Sequence, residues 1–113
     1  MKSIKNKVVA ITGAGSGIGR ALAEAFAKEG AALALNDYSK ERLLETKKMV
    51  EALGSQAMID DFDVVNREAM EAFAVKVEQS LGAANIIINN AGVSGVDLPT
   101  YTLPIEDYER IMQ

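Results

Sequence analysis

Residues 8 to 28 pass from a short apolar run through a glycine cluster into a helical repeat, and few folds accommodate that succession. Val8-Val9-Ala10-Ile11 is continuous in hydrophobicity and bounded by polar residues and glycines, as suits a strand buried on both faces of a parallel sheet. Gly13, Gly17 and Gly19 follow in the spacing G-x-x-x-G-x-G. From Ile18 onward, Ile18, Ala21, Leu22, Ala25 and Phe26 recur at helical spacing, with Arg20, Glu24 and Lys28 facing elsewhere, until Gly30. A strand, a glycine turn and a helix start together make an anion site. The first N–H groups of the helix lack intrahelical partners, the helix dipole adds positive potential, and glycine lets the backbone approach a phosphate closely. The cluster alone is equally compatible with a tight βα turn that binds nothing.

The remaining sequence repeats the alternation. Ala32 to Leu35 is a second apolar run, closed by Asn36 and Asp37. Ser39 is placed to cap a helix whose core side carries Leu43, Val50 and Leu53, stopped by Gly54. Ala57 to Ile59 is a weaker third strand running into Asp60, Asp61, Phe62 and Asp63. Asn66 caps a third helix with an apolar face of Met70, Phe73, Ala74, Val77 and Leu81, ended by Gly82. Ile86-Ile87-Ile88 is the fourth and most hydrophobic strand. Val93 to Pro104 reads as loop, and Ile105, Tyr108, Ile111 and Met112 begin an amphipathic helix. Helical crossovers require parallel strands and right-handed connections. The fold class is therefore α/β: an open parallel sheet with helices on both faces, strand order 3-2-1-4. One dinucleotide-binding domain is expected over residues 1–113, breaking off after strand four and the start of the next helix.

Asp37 adds chemistry to the glycine turn. It ends the second strand 18 residues past Gly19, and an acid about 20 residues beyond such a turn accepts hydrogen bonds from an adenosine ribose. A carboxylate there also repels a 2′-phosphate, which predicts NAD in preference to NADP. The plainer alternative is a solvated turn residue ahead of a helix cap. Tyr38 and Ser39 follow, so no basic residue stands immediately beside Asp37 and a ready partner for a 2′-phosphate is missing, although Arg20 or Lys40 could reach one in some rotamer. A nucleoside-triphosphate loop ends in Gly-Lys-Ser/Thr, whereas Gly19 here precedes Arg20 and Ala21.

Composition narrows the remaining classes. The chain has 113 residues and a formal net charge of -4, which argues against a general nucleic-acid partner. It has no cysteine and no histidine, so disulfides, thiolate catalysis and the commonest metal ligands and general base are excluded; no metal site is expected. No segment reaches the roughly 18 apolar residues of a membrane span, and a cytoplasmic location is the simplest expectation.

Three motifs in order resemble one family. Thr12-Gly13-Ala14-Gly15-Ser16-Gly17-Ile18-Gly19 is similar to the T-G-x-x-x-G-I-G cofactor motif of short-chain dehydrogenases/reductases. Asp63-Val64 resembles the family's Asp-Val pair after strand three, and Asn89-Asn90-Ala91-Gly92 its N-N-A-G motif after strand four. The resemblance implies a Rossmann-type cofactor half of a nicotinamide-dependent oxidoreductase acting on a carbonyl/alcohol pair. It implies that Gly13, Ser16, Gly17, Ile18 and Gly19 surround the pyrophosphate and the adjacent ribose. Asp37 would hold the adenosine ribose with Tyr38 beside it, and Asp63 and Val64 would bracket the adenine. Asn90, Ala91 and Gly92 would lie along the nicotinamide-side ribose and support the sheet. Plainer roles stand beside these: Asn89 and Asn90 as backbone caps at a strand end, Tyr38 as a cover for the second helix.

The family's Tyr-x-x-x-Lys pair, with its Ser and helix Asn, has no counterpart in these residues. Position 105 after Tyr101 is Ile, position 112 after Tyr108 is Met, and Ser94 stands too close behind N-N-A-G. No catalytic residue is therefore assigned. Three functions compete: a cofactor-binding portion that needs chemistry from elsewhere, a nucleotide-binding module without catalysis, and a self-associating structural module. The apolar fourth strand, left at an edge, predicts homo-oligomers pairing strand four to strand four.

Overall fold

The computed structural model describes residues 4–15 and 17–90. The elements alternate as β1 (Val8–Thr12), α1 (Gly17–Lys28), β2 (Ala32–Asp37), α2 (Lys40–Ala52), β3 (Ala57–Asp61), α3 (Arg67–Leu81) and β4 (Ile86–Asn89). All strand pairs are parallel, as helical crossovers require, and the order is β3-β2-β1-β4, the dinucleotide-binding order expected. The segment from Val93 to Pro104, the helix expected from Ile105, and Tyr101 and Tyr108 lie outside the described residues.

Strand alternation sends successive side chains to opposite faces. Val9, Ile11, Leu33, Leu35, Ile86 and Ile88 form one core with Ala23 and Ala27 of α1 and Leu43 and Val50 of α2. Val8, Ala10 and Ala34 form a second with Phe73 and Val77 of α3. The molecule is thus a three-layer α/β/α arrangement with α1 and α2 on one face and α3 on the other.

Three expectations are corrected by packing. The buried stripe of α1 is Gly19, Ala23 and Ala27, with Leu22 and Phe26 flanking it, rather than the stripe centred on Ile18, Ala21 and Ala25, which are exposed. Small residues at i, i+4 and i+8 let the helix sit close to the sheet, so they face it although larger apolar residues are available. Leu53 does not face the core: it is the C-cap of α2, and Thr46 takes its place among the buried residues with Leu43 and Val50. Strand four is not buried on both faces. Ile86 and Ile88 are buried, but Ile87 is 42% exposed, on the α3 side of the outermost described strand.

The strands are apolar along their length and polar at their carboxyl ends. Asn36 pairs in register with Asp60, and Thr12 with Asn89. The Thr12 hydroxyl donates to Asn89 Oδ1 at 2.8 Å, joining β1 to β4. In open α/β sheets the crevice outside these ends is where ligands bind.

Candidate functional site

The site is built where β1 turns into α1. Gly13 and Gly17 adopt positive φ, 64° and 58°, a region in which a Cβ is strained. Gly19 has a different reason to be glycine: a Cβ there would lie 1.9 Å from the Gly13 carbonyl oxygen. The turn therefore folds back against the first turn of its own helix. At Gly17 a Cβ would meet nothing within 4 Å, so open space lies against the start of α1. The first turns of α2 and α3 carry Glu41 and Glu68, whereas that of α1 carries no acid. The positive end of α1 is thus uncompensated by any side chain of its first turn, as an external anion requires. Ser16 lies outside the described residues.

Asp37 is 6% exposed and is bound to the turn. Its Oδ2 accepts from Gly15 N at 2.8 Å, and its Oδ1 accepts from Ser39 N at 3.0 Å. A Cβ on Gly15 would come within 2.7 Å of Asp37 Oδ2 and 2.8 Å of Arg42 Cβ, so the acid and the turn are packed against one another. Asp37 is therefore not a solvated turn residue. An ionised carboxylate offers about four lone-pair sites, so two accepted bonds leave capacity for a diol.

Asp63 is exposed in the turn after β3, where its Oδ1 accepts from Val65 N at 3.1 Å, and Val64 is half-buried beside it. Among the described residues the three most exposed large apolar side chains are Tyr38 (76%), Val65 (72%) and Ile18 (67%). Each follows the carboxyl end of a different strand, β2, β3 and β1. Apolar groups left in water around one crevice are informative in a way that scattered ones are not. Asn90 Nδ2 donates to the Gly13 carbonyl at 3.2 Å, so Asn90 braces the glycine turn. Ala91 and Gly92 lie outside the described residues.

Arg20 is not free to meet a 2′-phosphate. Its Nη2 donates to Gly15 O at 2.5 Å and to Arg42 O at 3.1 Å and pairs with Glu45 Oε1 at 3.4 Å, while its Nε donates to Thr46 Oγ1 at 2.9 Å. Thr46, which the sequence did not single out, is buried and donates to Ala14 O at 2.8 Å. Asn36, also unanticipated, ties β2 to β3 by donating from Nδ2 to the carbonyls of Asp60 and Phe62, both at 3.1 Å.

Comparison with known proteins gives this geometry its family. The profile of the short chain dehydrogenases matches residues 7–113. The chain belongs to the short-chain dehydrogenase/reductase family. An uncharacterized oxidoreductase of Bacillus subtilis, YxbG, is 36% identical over 112 residues, which are 99% of this chain and 41% of that protein. Among solved short-chain dehydrogenase folds, NAD+-bound xylitol dehydrogenase superposes with a TM-score of 0.79 at 34% identity, covering 98% of this chain and 43% of the other. L-Sorbose reductase from Gluconobacter frateurii, complexed with NADPH and L-sorbose, superposes with a TM-score of 0.78 at 36% identity, covering 92% and 40%. The chain thus spans about two fifths of the length of these relatives, and that portion is the family's nucleotide-binding region. Family membership leaves the choice of dinucleotide open, since these two relatives hold different ones. No helix among the described residues is long and apolar enough to cross a membrane.

Proposed function

We propose that this chain is the NAD-binding portion of a short-chain dehydrogenase/reductase that moves hydride between a nicotinamide cofactor and a carbonyl/alcohol substrate. Residues 1–113 form one dinucleotide-binding domain in this reading. The observation that carries it is the buried Asp37 carboxylate, seated against the glycine turn at Gly15 N. A ribose placed there meets fixed acceptors, and a 2′-phosphate meets a fixed negative charge. NAD is therefore preferred over NADP, and Arg20 is engaged by α2 and Gly15 rather than held out toward a 2′-phosphate. Gly13, Ser16, Gly17, Ile18 and Gly19 line the pyrophosphate side. Tyr38, Asp63 and Val64 line the adenosine side, and Asn90, Ala91 and Gly92 the nicotinamide side. Bound NAD supplies the hydride chemistry; the residues here bind and orient it. Residues 1–113 contain no Tyr-x-x-x-Lys, and by themselves they turn over no alcohol.

Titration calorimetry with NAD and NADP tests the assignment. Asp37→Asn is the informative variant, because it keeps one oxygen acceptor and removes the charge. The wild-type chain binds NAD more tightly, and the variant narrows the gap by about tenfold, the weight of one lost charge–charge interaction near a protein surface. Equal affinity of the wild-type chain for both dinucleotides removes the NAD preference, and binding of neither removes the nucleotide role. One observation favours that last outcome, a structural role for the turn: both Asp37 oxygens already accept a backbone hydrogen bond.

A further inference from the structure

Three consecutive carbonyls of the glycine turn are each held by a side chain from a different part of the fold. Asn90, just beyond β4, donates to Gly13 O at 3.2 Å; Thr46, on α2, donates to Ala14 O at 2.8 Å; Arg20, on α1, donates to Gly15 O at 2.5 Å. The second and third of these holds are one connected chain. Arg20 Nε donates to Thr46 Oγ1 at 2.9 Å, and the hydroxyl passes its single hydrogen on to Ala14 O, the nearer of two carbonyls, with Arg42 O at 3.3 Å. A hydroxyl has one donor hydrogen and two acceptor lone pairs, so Thr46 suits the middle position and valine does not. Glu45 and the Arg42 carbonyl hold the far side of the guanidinium.

We propose that Arg20 and Thr46 are positioning residues for dinucleotide binding: they pin the Ala14 and Gly15 carbonyl oxygens toward α2, so that an anion at the turn meets N–H groups and no lone pairs. The proposal rests on the nucleotide reading above. Its physical basis is that glycines make a peptide plane easy to rotate, and a carbonyl turned toward a phosphate replaces attraction by repulsion. Hydrogen bonds to charged donors are the stronger kind, and the Arg20 bond falls on the peptide between Gly15 and the next residue. At the other end of the Ala14–Gly15 peptide, Gly15 N donates to Asp37 Oδ2 at 2.8 Å, so exchange of that amide reports the orientation of the plane.

The test uses the whole chain and compares Thr46→Val with Thr46→Ser. Two readings are taken, the NAD dissociation constant by calorimetry and the amide hydrogen exchange of Gly15 relative to Ile11 in β1. Thr46→Val is expected to weaken NAD binding and to speed Gly15 exchange, each by about tenfold, the effect of leaving one buried acceptor without its donor. Thr46→Ser stays within about threefold of wild type in both. A general loss of stability moves Gly15 and Ile11 together and overturns the proposal. Faster Gly15 exchange at unchanged NAD affinity also overturns it, since the pair then only stiffens the turn. If the wild-type chain binds no NAD, the nucleotide reading fails and the proposal that rests on it falls with it; NAD binding by the wild-type chain that Thr46→Val leaves unchanged overturns the proposal alone. Arg20→Lys, at a partly exposed position, takes the place of Thr46→Val if that variant does not fold; lysine keeps the charge but cannot span Thr46 and Gly15 with two fixed nitrogens.

Discussion

Glycines of the same motif carry different physical burdens, and substitution separates them. Gly19→Ala places a methyl group 1.9 Å from Gly13 O, against backbone rather than a flexible side chain. The turn has to open, and a loss of more than about 3 kcal/mol is expected in urea unfolding. Gly17→Ala meets nothing within 4 Å and suffers only from its φ of 58°, a cost of about 1–2 kcal/mol. Equal losses for the two would mean that the turn yields at Gly19 and that its approach to Gly13 O is not what holds that position to glycine. Asp37 shows the same economy of position: one carboxylate orients the turn through Gly15 N, starts the approach to α2 through Ser39 N, and keeps lone pairs for a ribose.

At the scale of elements, each helix is specified by its ends as much as by its stripe. Ser39 accepts from Arg42 N and Asn66 from Ala69 N, the two N-caps expected from sequence. Replacing either by alanine is expected to cost about 1 kcal/mol. The side of α2 that faces the core is tested by two leucines. Leu43 is fully buried, so Leu43→Ala loses about 2–5 kcal/mol in denaturant unfolding. Leu53 sits at the C-cap, 42% exposed, and Leu53→Ala costs less than about 1 kcal/mol. A large loss at Leu53 would place the core stripe where periodicity alone puts it. Thr46 falls on the stripe that joins Leu43 to Val50, and a hydroxyl on an apolar stripe is the sequence signal for a buried hydrogen-bonded partner; here that partner is the glycine turn.

For the molecule as a whole, the sheet has two unlike edges. Its β3 edge ends in acidic residues, Asp60 and Asp61, whereas its β4 edge, the outermost described strand on that side, is three isoleucines. Ile87 lines an apolar groove of about 270 Å³ with Ala10, Met70, Phe73 and Val77. An apolar strand edge pairs readily with another copy, so the 113-residue chain expressed by itself is expected to self-associate. In sedimentation velocity, Ile87→Lys moves the population to monomer while changing unfolding stability by less than about 1 kcal/mol. A wild-type chain that sediments as a monomer at high concentration sinks strand-four pairing.

The order of elements and the parallel sheet follow from the sequence alone, because unbroken apolar runs, helical repeats and terminating glycines are local signals and helical crossovers admit only parallel neighbours; the 3-2-1-4 order follows only once the glycine turn is read as dinucleotide-binding. The two caps, the glycine turn and the acid after β2 also follow from the sequence alone. Which face of α1 meets the sheet, which leucine of α2 is buried and how Ile87 is exposed were decided by tertiary packing, since close approach favours small residues over the largest available ones. Likewise, only the folded chain brings Arg20, Thr46 and Asn90 onto three successive carbonyls, from 5, 32 and 77 positions away in sequence. No local pattern encodes such a grip, because its members share neither an element nor a spacing.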